Sequence, residues 1–344
     1  MNAQLRFGFL SITLAFGLIF SGCETTYSGS QLQPSGSLKS TTTLVDSEPL
    51  TAVVAAYRPE IEALIQEIER MPEGEIYRVI RHKGVTYHLG TVYGEPIVLF
   101  VTGMSIANAA MTIQMALDYF PVERVLYAGI AGAVNPELNL GDVVVPARWY
   151  YHDEHVYFNP SPEDSESYIL ADYYENNSPF FKKLYEGDPH LPRYTNFGMI
   201  HPDEVSIIMD GWDRPRRTAY FSATPELLEL SEAALKHLPD LTVGERVAQL
   251  TVGGNGVTGS VFLDNAEYRK WTRDVFKAEV TEMESAAVGQ VCMINEVPWV
   301  IIRGVSDLAG GQKGKNDENI YDGLASEHAA KWLFALLKEI AAAN

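Results

Sequence analysis

Three carboxylate side chains follow segments that are expected to be strands of a parallel sheet. They are Glu60, Glu284 and Asp307. Because ligands of parallel sheets bind at the carboxyl ends of the strands, we expect these carboxylates at one edge of a sheet, as a candidate catalytic site. Each residue also has a structural alternative: Glu60 and Glu284 suit a helix N terminus, and Asp307 suits a turn or a cap. The grouping alone names no reaction.

Two further motifs bear on cofactors. Residues 254–259 (GNGVTG) match the dinucleotide-binding pattern G-x-G-x-x-G, but that pattern normally opens a helix, whereas residues 260–263 are expected to stay extended. Residues 152–155 (HDEH) include metal-ligand types, but adjacent residues of a loop rarely point at one centre. We therefore expect no cofactor and no metal.

The composition excludes several classes of protein. The 344 residues include 26 basic and 45 acidic side chains, which gives a formal net charge of −19. An excess of that sign repels phosphate backbones, so we expect no nucleic-acid partner. A hydrophobic fraction of 46% and a charged fraction of 21% are ordinary for a globular protein and exclude a disordered chain. Two cysteines, Cys23 and Cys292, are too few for a disulfide scaffold.

The N terminus predicts export and a lipid anchor. A basic start precedes the 14-residue apolar run Phe7–Phe20, which ends in small residues like a secretory signal. Residues 20–23 (FSGC) resemble a bacterial lipobox, which implies a lipoprotein signal peptide over residues 1–22 and acylation of Cys23. Acyl chains such as palmitate would anchor the exported protein to a membrane, on its periplasmic side or at the cell surface. The alternative is an ordinary cleaved signal followed by an accidental cysteine.

The rest of the chain divides into a tether and a folded domain. Residues 23–49 are rich in Ser, Thr, Gly and Gln, and bury too little to offset the entropy of ordering, which predicts a flexible tether. Residues 50–344 alternate apolar strands with helices, which predicts a single α/β domain with a twisted, mostly parallel central sheet flanked by helices. An insertion with little regular structure is expected at about 151–220.

The expected elements follow from apolar runs and helical periodicity. The strands are expected at 50–56, 77–81, 85–92, 95–101, 122–128, 142–145, 278–282 and 298–303. The helices are expected after Pro59, at 105–120, at 225–238 and up to Ala343. A loop containing Gly129, Gly132 and Gly141 is expected between the fifth and sixth of these strands.

Four ordered segments resemble one family of proteins. They are 56–61 (AYRPEI), 127–146 (YAGIAGAVNPELNLGDVVVP), 280–292 (VTEMESAAVGQVC) and 300–311 (VIIRGVSDLAGG). Together they resemble the nucleoside phosphorylase and nucleosidase superfamily, and most closely the methylthioadenosine/S-adenosylhomocysteine nucleosidases and the plant bark and vegetative storage proteins. The resemblance implies a nucleoside phosphorylase-like fold, a small-molecule nucleoside substrate, and a homo-oligomer in which the partner chain closes the pocket.

The resemblance also implies a reaction and its residues. The N-glycosidic bond of a purine nucleoside or thionucleoside would be hydrolysed through an oxocarbenium-like ribose. Asp307 would be the acid that protonates the leaving purine, and Glu60 would activate the attacking water. Glu284 would accept hydrogen bonds from the ribose hydroxyls, with Met283 against the sugar.

The remaining residues of the implied site would bind the base or line the pocket. Phe262 would stack on the purine, and the backbone of Leu263 would bind its edge. Ala131 and Gly132 would line the pocket without bulky side chains. Ser306 precedes the catalytic aspartate in the family's Ser-Asp pair and is included among the substrate-binding residues.

Two other functions remain open at this stage. A phosphorylase must bind a dianion, for which arginine and serine near the glycine-rich loop are typical. Residues 127–130 (YAGI) place apolar or uncharged side chains there, and Arg58 is one unsupported candidate, so water is favoured over phosphate as the nucleophile. A non-catalytic nucleoside-binding or storage-like surface lipoprotein is the other alternative.

Overall fold

The structure is a computed structural model that describes residues 48–163, 168–169, 178–188, 190–191, 199–316 and 318–344. The predicted signal peptide, the predicted acylation site Cys23 and the predicted tether up to residue 47 lie outside the described residues. Among the residues that are described, no helix is both long enough and apolar enough to span a bilayer.

The chain alternates strands and helices. The strands are β1 (Leu50–Ala55), β2 (Gly74–His82), β3 (Val85–Val92), β4 (Glu95–Val101), β5 (Val122–Ala133), β6 (Val143–Val145), β7 (Arg148–Tyr151), β8 (His155–Phe158), β9 (Met199–Pro202), β10 (Val205–Ile207), β11 (Arg216–Thr218), β12 (Phe221–Ser222), β13 (Thr242–Val243), β14 (Arg246–Val247), β15 (Leu250–Val252), β16 (Asn255–Thr258), β17 (Ala278–Glu282) and β18 (Trp299–Asp307). The helices are α1 (Arg58–Arg70), α2 (Ile106–Tyr119), α3 (Pro179–Gly187), α4 (Pro225–Ala233), α5 (Ala266–Phe276), α6 (Ser285–Ile294) and α7 (Glu318–Ala343), and a 3-10 helix follows α4 at Ala234–His237.

One large sheet organises these elements. Its strand order is β12-β7-β16-β17-β5-β1-β4-β3-β2, and β18 also pairs with β5. The central pairs β4-β1, β1-β5, β5-β18, β16-β17 and β7-β16 are parallel, whereas β2 and β3 form an antiparallel edge. The prediction of a single α/β domain with a mostly parallel sheet flanked by helices is confirmed.

The strands at the centre of the sheet are covered on both faces. Every residue of β1 and of β18 is buried, which is why most of their side chains are apolar. Helix α7 packs along β18 and β5. Its buried stripe consists of Ala329, Trp332, Leu333, Leu336, Leu337 and Ile340. This covering leaves the ends of β5 and β18 as the place where polar groups converge.

Two strands extend further than their apolar patterns predict. Strand β5 continues to Ala133, so Gly129 and Gly132 lie within a strand, and the prediction of a loop there is wrong for these two glycines. Strand β18 continues to Asp307, which is its last residue. The reason is pairing: β18 pairs with β5 from Trp299 to Asp307, with a shift of register between Val305 and Asp307, so both backbones remain extended.

The region of about 151–220 holds more regular structure than expected. Its described residues include the antiparallel pairs β8-β9 and β10-β11 and the helix α3. Aromatic side chains from this region pack into a second apolar cluster with helix α5. Members of the cluster include Tyr150, Phe181, Tyr185, Trp271 and Phe276. Burial of these rings supplies a core that periodicity along the chain does not reveal.

Candidate active site

One pocket contains all nine substrate-site and catalytic residues that the sequence singled out. It has a volume of about 620 Å³, including space open to solvent. The nine residues are Glu60, Ala131, Gly132, Phe262, Leu263, Met283, Glu284, Ser306 and Asp307. The lining also includes Ala56, Tyr57, Met104, Ile130, Val261, Thr281 and Glu282, which the sequence reading did not select.

Strand β5 is the element that brings the pocket together. In the sheet, Gly132 is paired both with Asp307 of β18 and with Thr281 of β17. A Cβ atom at position 132 would stand 2.8 Å from Oδ1 of Asp307, so glycine is needed for this approach. Strand β17, which precedes Glu284, runs parallel to β16 but antiparallel to β5, so only one of its two pairings is of the expected parallel kind. The carboxylates meet because β5 passes from a parallel partner to an antiparallel one.

Glu60 lies in the first turn of α1, directly after β1, and its carboxylate is buried. Its Oε2 atom accepts the backbone N–H groups of Ala56 (2.6 Å) and Tyr57 (3.3 Å). Its Oε1 atom accepts the N–H of Ile130 (2.8 Å). Burial raises the pKa of Glu60, while Arg303 and these three donors act in the opposite direction. The carboxylate is therefore fixed in place between α1 and β5.

Glu284 is the N-terminal cap residue of α6 and is also buried. Its Oε1 atom accepts the backbone N–H of Ser105 at 2.7 Å, which ties α6 to the loop before α2. Burial raises the pKa of Glu284, and the neighbouring carboxylate of Glu282 raises it further, whereas Arg303 lowers it. The second oxygen, Oε2, lies 3.5 Å from the Arg303 guanidinium.

Arg303 is a fully buried cation among these acids. Its guanidinium forms an ion pair with Glu282, and lies 3.5 Å from Glu284 and 3.9 Å from Glu60. Burial by itself lowers the pKa of Arg303, but the surrounding carboxylates outweigh burial and raise it. A buried charge has to be paired, and this arginine is paired with the acids on three elements, α1, β17 and α6.

The remaining donors of Arg303 are also occupied. Nη2 donates to the Ser285 hydroxyl at 2.8 Å, and Nη1 donates to the Ile130 carbonyl at 3.2 Å. The guanidinium stands over the ring of Tyr127, 4.8 Å from its centroid. Protein groups therefore surround the cation, and its contacts connect the elements that lie beneath the pocket.

Asp307 ends β18, is buried and lines the same pocket. Its Oδ1 accepts the N–H of Ala309 (2.8 Å), and its Oδ2 accepts the Ser306 hydroxyl (3.0 Å). Burial raises the pKa of Asp307, and these hydrogen bonds partly oppose the rise. Such an environment favours a carboxyl group that can hold a proton and deliver it.

The mouth of the pocket is apolar and open. The exposed fractions of Phe262, Val261 and Met104 are 59%, 45% and 57%, although all three line the pocket. Phe262 lies in the loop between β16 and α5, so the expectation that residues 260–263 continue as a strand is wrong. The loop is held at its start, where the N–H of Ser260 donates to Asp153 Oδ2 (2.5 Å).

The two motifs that bear on cofactors, residues 254–259 and 152–155, do not line this pocket. No helix follows Gly259 directly, since α5 begins only at Ala266. The rings of His152 and His155 both face the hydroxyl of Tyr268, at 3.1 and 3.2 Å. Burial lowers the pKa of each of these histidines to about 4, so both rings are neutral near pH 7. Within the described part of the chain, no group of three or more acidic, His or Cys side chains could hold a metal ion.

Sequence reasoning missed Arg303 and Glu282, which brace the floor of the pocket. Glu282 accepts the Thr258 hydroxyl and, at 2.9 Å, the backbone N–H of Glu284. A signal was present, since an arginine inside the run 300–305 (VIIRGV) must be paired if the strand is buried. Glu282, the first residue of the segment 282–284 (EME), is the acid that forms this pair with Arg303.

Comparison with known proteins shows to which family the chain is similar. A family model described as the phosphorylase superfamily matches residues 51–342. The 5'-methylthioadenosine/S-adenosylhomocysteine nucleosidase of Bacillus cytotoxicus is 27% identical over 290 residues, which cover 84% of this chain and 98% of that relative.

Two solved structures from Helicobacter pylori share the fold. The 5'-methylthioadenosine/S-adenosylhomocysteine nucleosidase with butyl-thio-DADMe-Immucillin-A has a TM-score of 0.60 and 19% identity, and covers 86% of this chain and 100% of its own. A futalosine hydrolase has a TM-score of 0.58 and 18% identity, and covers 85% and 98%. At this level of identity the likeness shows the fold alone.

Proposed function

The chain belongs to the phosphorylase superfamily, and on that premise we propose that it is a nucleosidase that hydrolyses the N-glycosidic bond of a purine nucleoside or thionucleoside. The relative from Bacillus cytotoxicus supports methylthioadenosine-like substrates, because it is named for them. The observation that carries the proposal is the convergence of three buried carboxyl groups, on Glu60, Glu284 and Asp307, around one pocket.

Asp307 is the acid of the proposed reaction. Cleavage leaves the purine with excess negative charge, so a proton must reach a ring nitrogen as the bond breaks. Burial raises the pKa of Asp307, which keeps more of this carboxyl protonated than an exposed aspartate. Ser306 supports it, because a hydroxyl can donate to the carboxylate once the proton has left.

Glu60 is the base of the proposed reaction. A carboxylate has about four acceptor positions, and three backbone N–H groups occupy part of them. The remaining capacity faces the pocket and can orient a water molecule and take its proton. The fixed position of Glu60 matters because a bound nucleophile reacts fastest when its approach is already set.

The sugar and the base occupy the space between these two groups. Glu284 and Met283 lie next to each other on the lining, where a carboxylate and an apolar thioether suit ribose hydroxyls and the sugar face. Carboxylates around the ring also stabilise the positive charge of an oxocarbenium-like ribose. Phe262 and the Leu263 backbone are placed to bind the purine, and Ala131 and Gly132 leave it room.

Water is the proposed nucleophile because the described pocket offers no free cation for phosphate. Arg303 is the cation beneath the pocket, and its donors already meet acids, a hydroxyl and a carbonyl. Arg58 does not contribute, since it pairs with Glu62 on the exposed face of α1 and 86% of its side chain is exposed. A phosphate dianion beside these acids would lack compensation.

Turnover by the full chain tests the proposal. The substrates are methylthioadenosine, S-adenosylhomocysteine, adenosine, inosine and futalosine, each with and without phosphate, and chromatography measures the base and the sugar product. We expect free base and free sugar without phosphate. Asp307→Asn and Glu60→Gln should each lower kcat by about 100-fold or more, the loss typical for removal of a general acid or base. Asp240→Asn, at an exposed position, is the matched control and should retain full activity.

The other outcomes distinguish the alternative functions. Base release that requires phosphate and yields a sugar phosphate would mean a phosphorylase. Binding of a nucleoside by calorimetry, with no base released from any substrate, would mean a binding or storage-like protein. Either result would overturn the nucleosidase proposal.

We also propose that the protein is exported and anchored to a membrane through an acylated Cys23, on the strength of the lipobox-like segment 20–23. Metabolic labelling with an alkyne fatty acid tests this in cells that express the full chain. Label is expected on the wild-type protein and not on Cys23→Ser. An unlabelled, fully processed wild-type protein would contradict the anchor.

We also propose that the protein is a homo-oligomer. The apolar side chains at the mouth, Phe262, Val261 and Met104, remain exposed in the single chain, and a second copy that covers them would close the pocket. Light scattering on the full chain should give a mass of at least two copies. A monomeric mass at micromolar concentration would contradict it.

A further inference from the structure

The loop between β18 and α7 returns to the segment that follows the base-binding residues. Gln312 Nε2 donates to Asp264 Oδ1 at 2.6 Å, and Asn316 Nδ2 donates to the same oxygen at 3.2 Å. Asp264 comes directly after Leu263, which lines the pocket. The loop is thus fastened to the part of the chain that is proposed to bind the purine.

The same amide nitrogen of Asn316 also reaches the acid of the site. Asn316 Nδ2 lies 3.4 Å from Oδ1 of Asp307. A carboxamide NH₂ group has two N–H donors, so one can serve Asp264 and the other Asp307. This single side chain therefore bridges the two carboxyl groups, although Asp264 and Asp307 do not touch.

The hydrogen bonds to the two oxygens of Asp307 determine which of them can hold the proton. Oδ1 accepts N–H groups from Ala309 (2.8 Å) and Asn316 (3.4 Å), and an N–H group can only donate. Oδ2 faces the hydroxyl of Ser306, which can either donate or accept. The proton therefore belongs on Oδ2, because the N–H groups of Ala309 and Asn316 together keep it off Oδ1.

Charges around Asp307 act in opposite senses. Burial is the largest influence and raises the pKa of Asp307, the Asp264 carboxylate raises it as well, and the hydrogen bonds from Ala309, Ser306 and Asn316 lower it. Arg269 on α5 is a cation whose charge interacts with that of Asp307. Asp264 is exposed, so its influence is screened by salt and depends on the position that Asn316 gives it.

We propose that Asp264, acting through the Asn316 carboxamide, is a positioning residue for Asp307, so that the segment that binds the base also orients the acid that protonates it. The inference rests on the proposed nucleosidase function and extends it to two residues outside the pocket lining. It implies that correct seating of the purine and correct placement of the acid are coupled.

Kinetics of variants of the full chain test the coupling. Asn316→Ala should lower kcat about 3- to 10-fold with little change in KM, the loss expected for one hydrogen bond that acts on the reacting group. Asp264→Asn keeps an oxygen acceptor but removes the charge. Loss of that charge lowers the pKa of Asp307, so the fall in kcat at high pH should begin at lower pH than in the wild type.

Two further variants separate positioning from simple support of the loop. Gln312→Ala removes the other partner of Asp264 without touching Asp307, and should leave the pH profile of kcat unchanged. At the pH plateau of kcat, the double variant Asp264→Ala, Asn316→Ala should be no slower than Asn316→Ala alone, because Asp264 positions Asp307 through Asn316. Independent, additive losses, or an Asn316→Ala protein with wild-type kcat and pH profile, would overturn the proposal.

A measurement without turnover keeps the two proposals distinguishable. Carboxyl ¹³C resonances of Asp-labelled full chain report the titration of Asp307 directly, with Asp307→Asn for assignment. Asp264→Asn should lower the pKa read from this resonance whether or not the protein releases a base. An unchanged titration would refute the role of Asp264, whereas an inactive wild type with the expected titration would refute only the nucleosidase function.

Discussion

Gly129 lies so close to Glu60 that a Cβ atom built on the glycine would stand 2.5 Å from Oε1 of the carboxylate. The same Cβ would also collide with the guanidinium of Arg303. Strand β5 therefore passes directly against the ion pairs of the site. Only the absence of a side chain at residue 129 allows the proposed base and the buried cation to occupy their positions.

Gly129→Ala should damage both stability and activity. The added methyl group has to displace Glu60 or Arg303, and overpacking of a dense core costs about 1–3 kcal/mol. We expect a lower urea midpoint and a clear fall in kcat, measured on the same preparation. Gly323→Ala on α7 is the matched control, because its Cβ would meet nothing within 4 Å. It should be neutral or stabilising by about 0.5–1 kcal/mol. Equal behaviour of the two variants would contradict the packing argument.

Removal of the buried cation should destabilise the fold, because it leaves three buried acids without their counter-charge. Arg303→Met should lower the free energy of unfolding by about 3–5 kcal/mol, the range for breaking a buried ion pair by loss of one partner. The double variant Arg303→Met, Glu282→Gln should cost less than the sum of the two single variants, as measured by urea denaturation. Arg58→Met, at an exposed ion pair, should leave the urea midpoint unchanged. Additive losses would mean that Arg303 and Glu282 do not stabilise each other.

Much of the site could be anticipated because its residues lie in short segments with distinctive order. Asp307 follows the apolar run 298–303, and Glu284 follows residues 278–282, and both segments were expected to be strands. The ends of those strands then limit where a ligand can bind. The resemblance supplied the roles, and the nine residues were placed in one pocket only when the strands were assembled.

The missed features depend on pairings between distant parts of the chain. The antiparallel contact of β17 with β5 joins Thr281 to Gly132, and nothing in either segment specifies that direction. The bridge from Asn316 to Asp264 spans 52 positions and forms only when two loops meet. The loop that carries Phe262 looks extended by composition, but the paired residues of β16 end at Thr258. Local periodicity cannot report such contacts.

The stability of the fold should depend on pH through Asp307. Burial raises the pKa of Asp307 above its ordinary value of 3.8, so the folded state binds this proton more tightly than the unfolded state. The resulting stability is fully present below about pH 4 and is lost as pH rises through the folded-state pKa. Asn cannot titrate, so the stability of the wild type relative to Asp307→Asn should decline from pH 4 to pH 8.

Urea denaturation at several pH values measures this difference. Asp240→Asn, at an exposed position, serves as the control and should differ from the wild type by the same amount at every pH. A gap between wild type and Asp307→Asn that grows as pH rises would mean that the folded state favours the charged carboxylate. That result would also remove the basis for Asp307 as a proton donor.

Ser105 holds a backbone conformation that suits glycine, and this conformation presents its N–H to Glu284. Its φ is 81° and its ψ is 155°, a region that costs an L-residue of order 1–3 kcal/mol. Ser105→Gly should therefore raise the melting temperature without a change in KM, because the backbone N–H that binds Glu284 at 2.7 Å is retained. Ser105→Ala keeps the Cβ atom and with it the strain, so it should give no gain. An equal gain from both variants would mean that the serine hydroxyl, and not the backbone, is the source of the cost, and that the contact with Glu284 carries no stored strain.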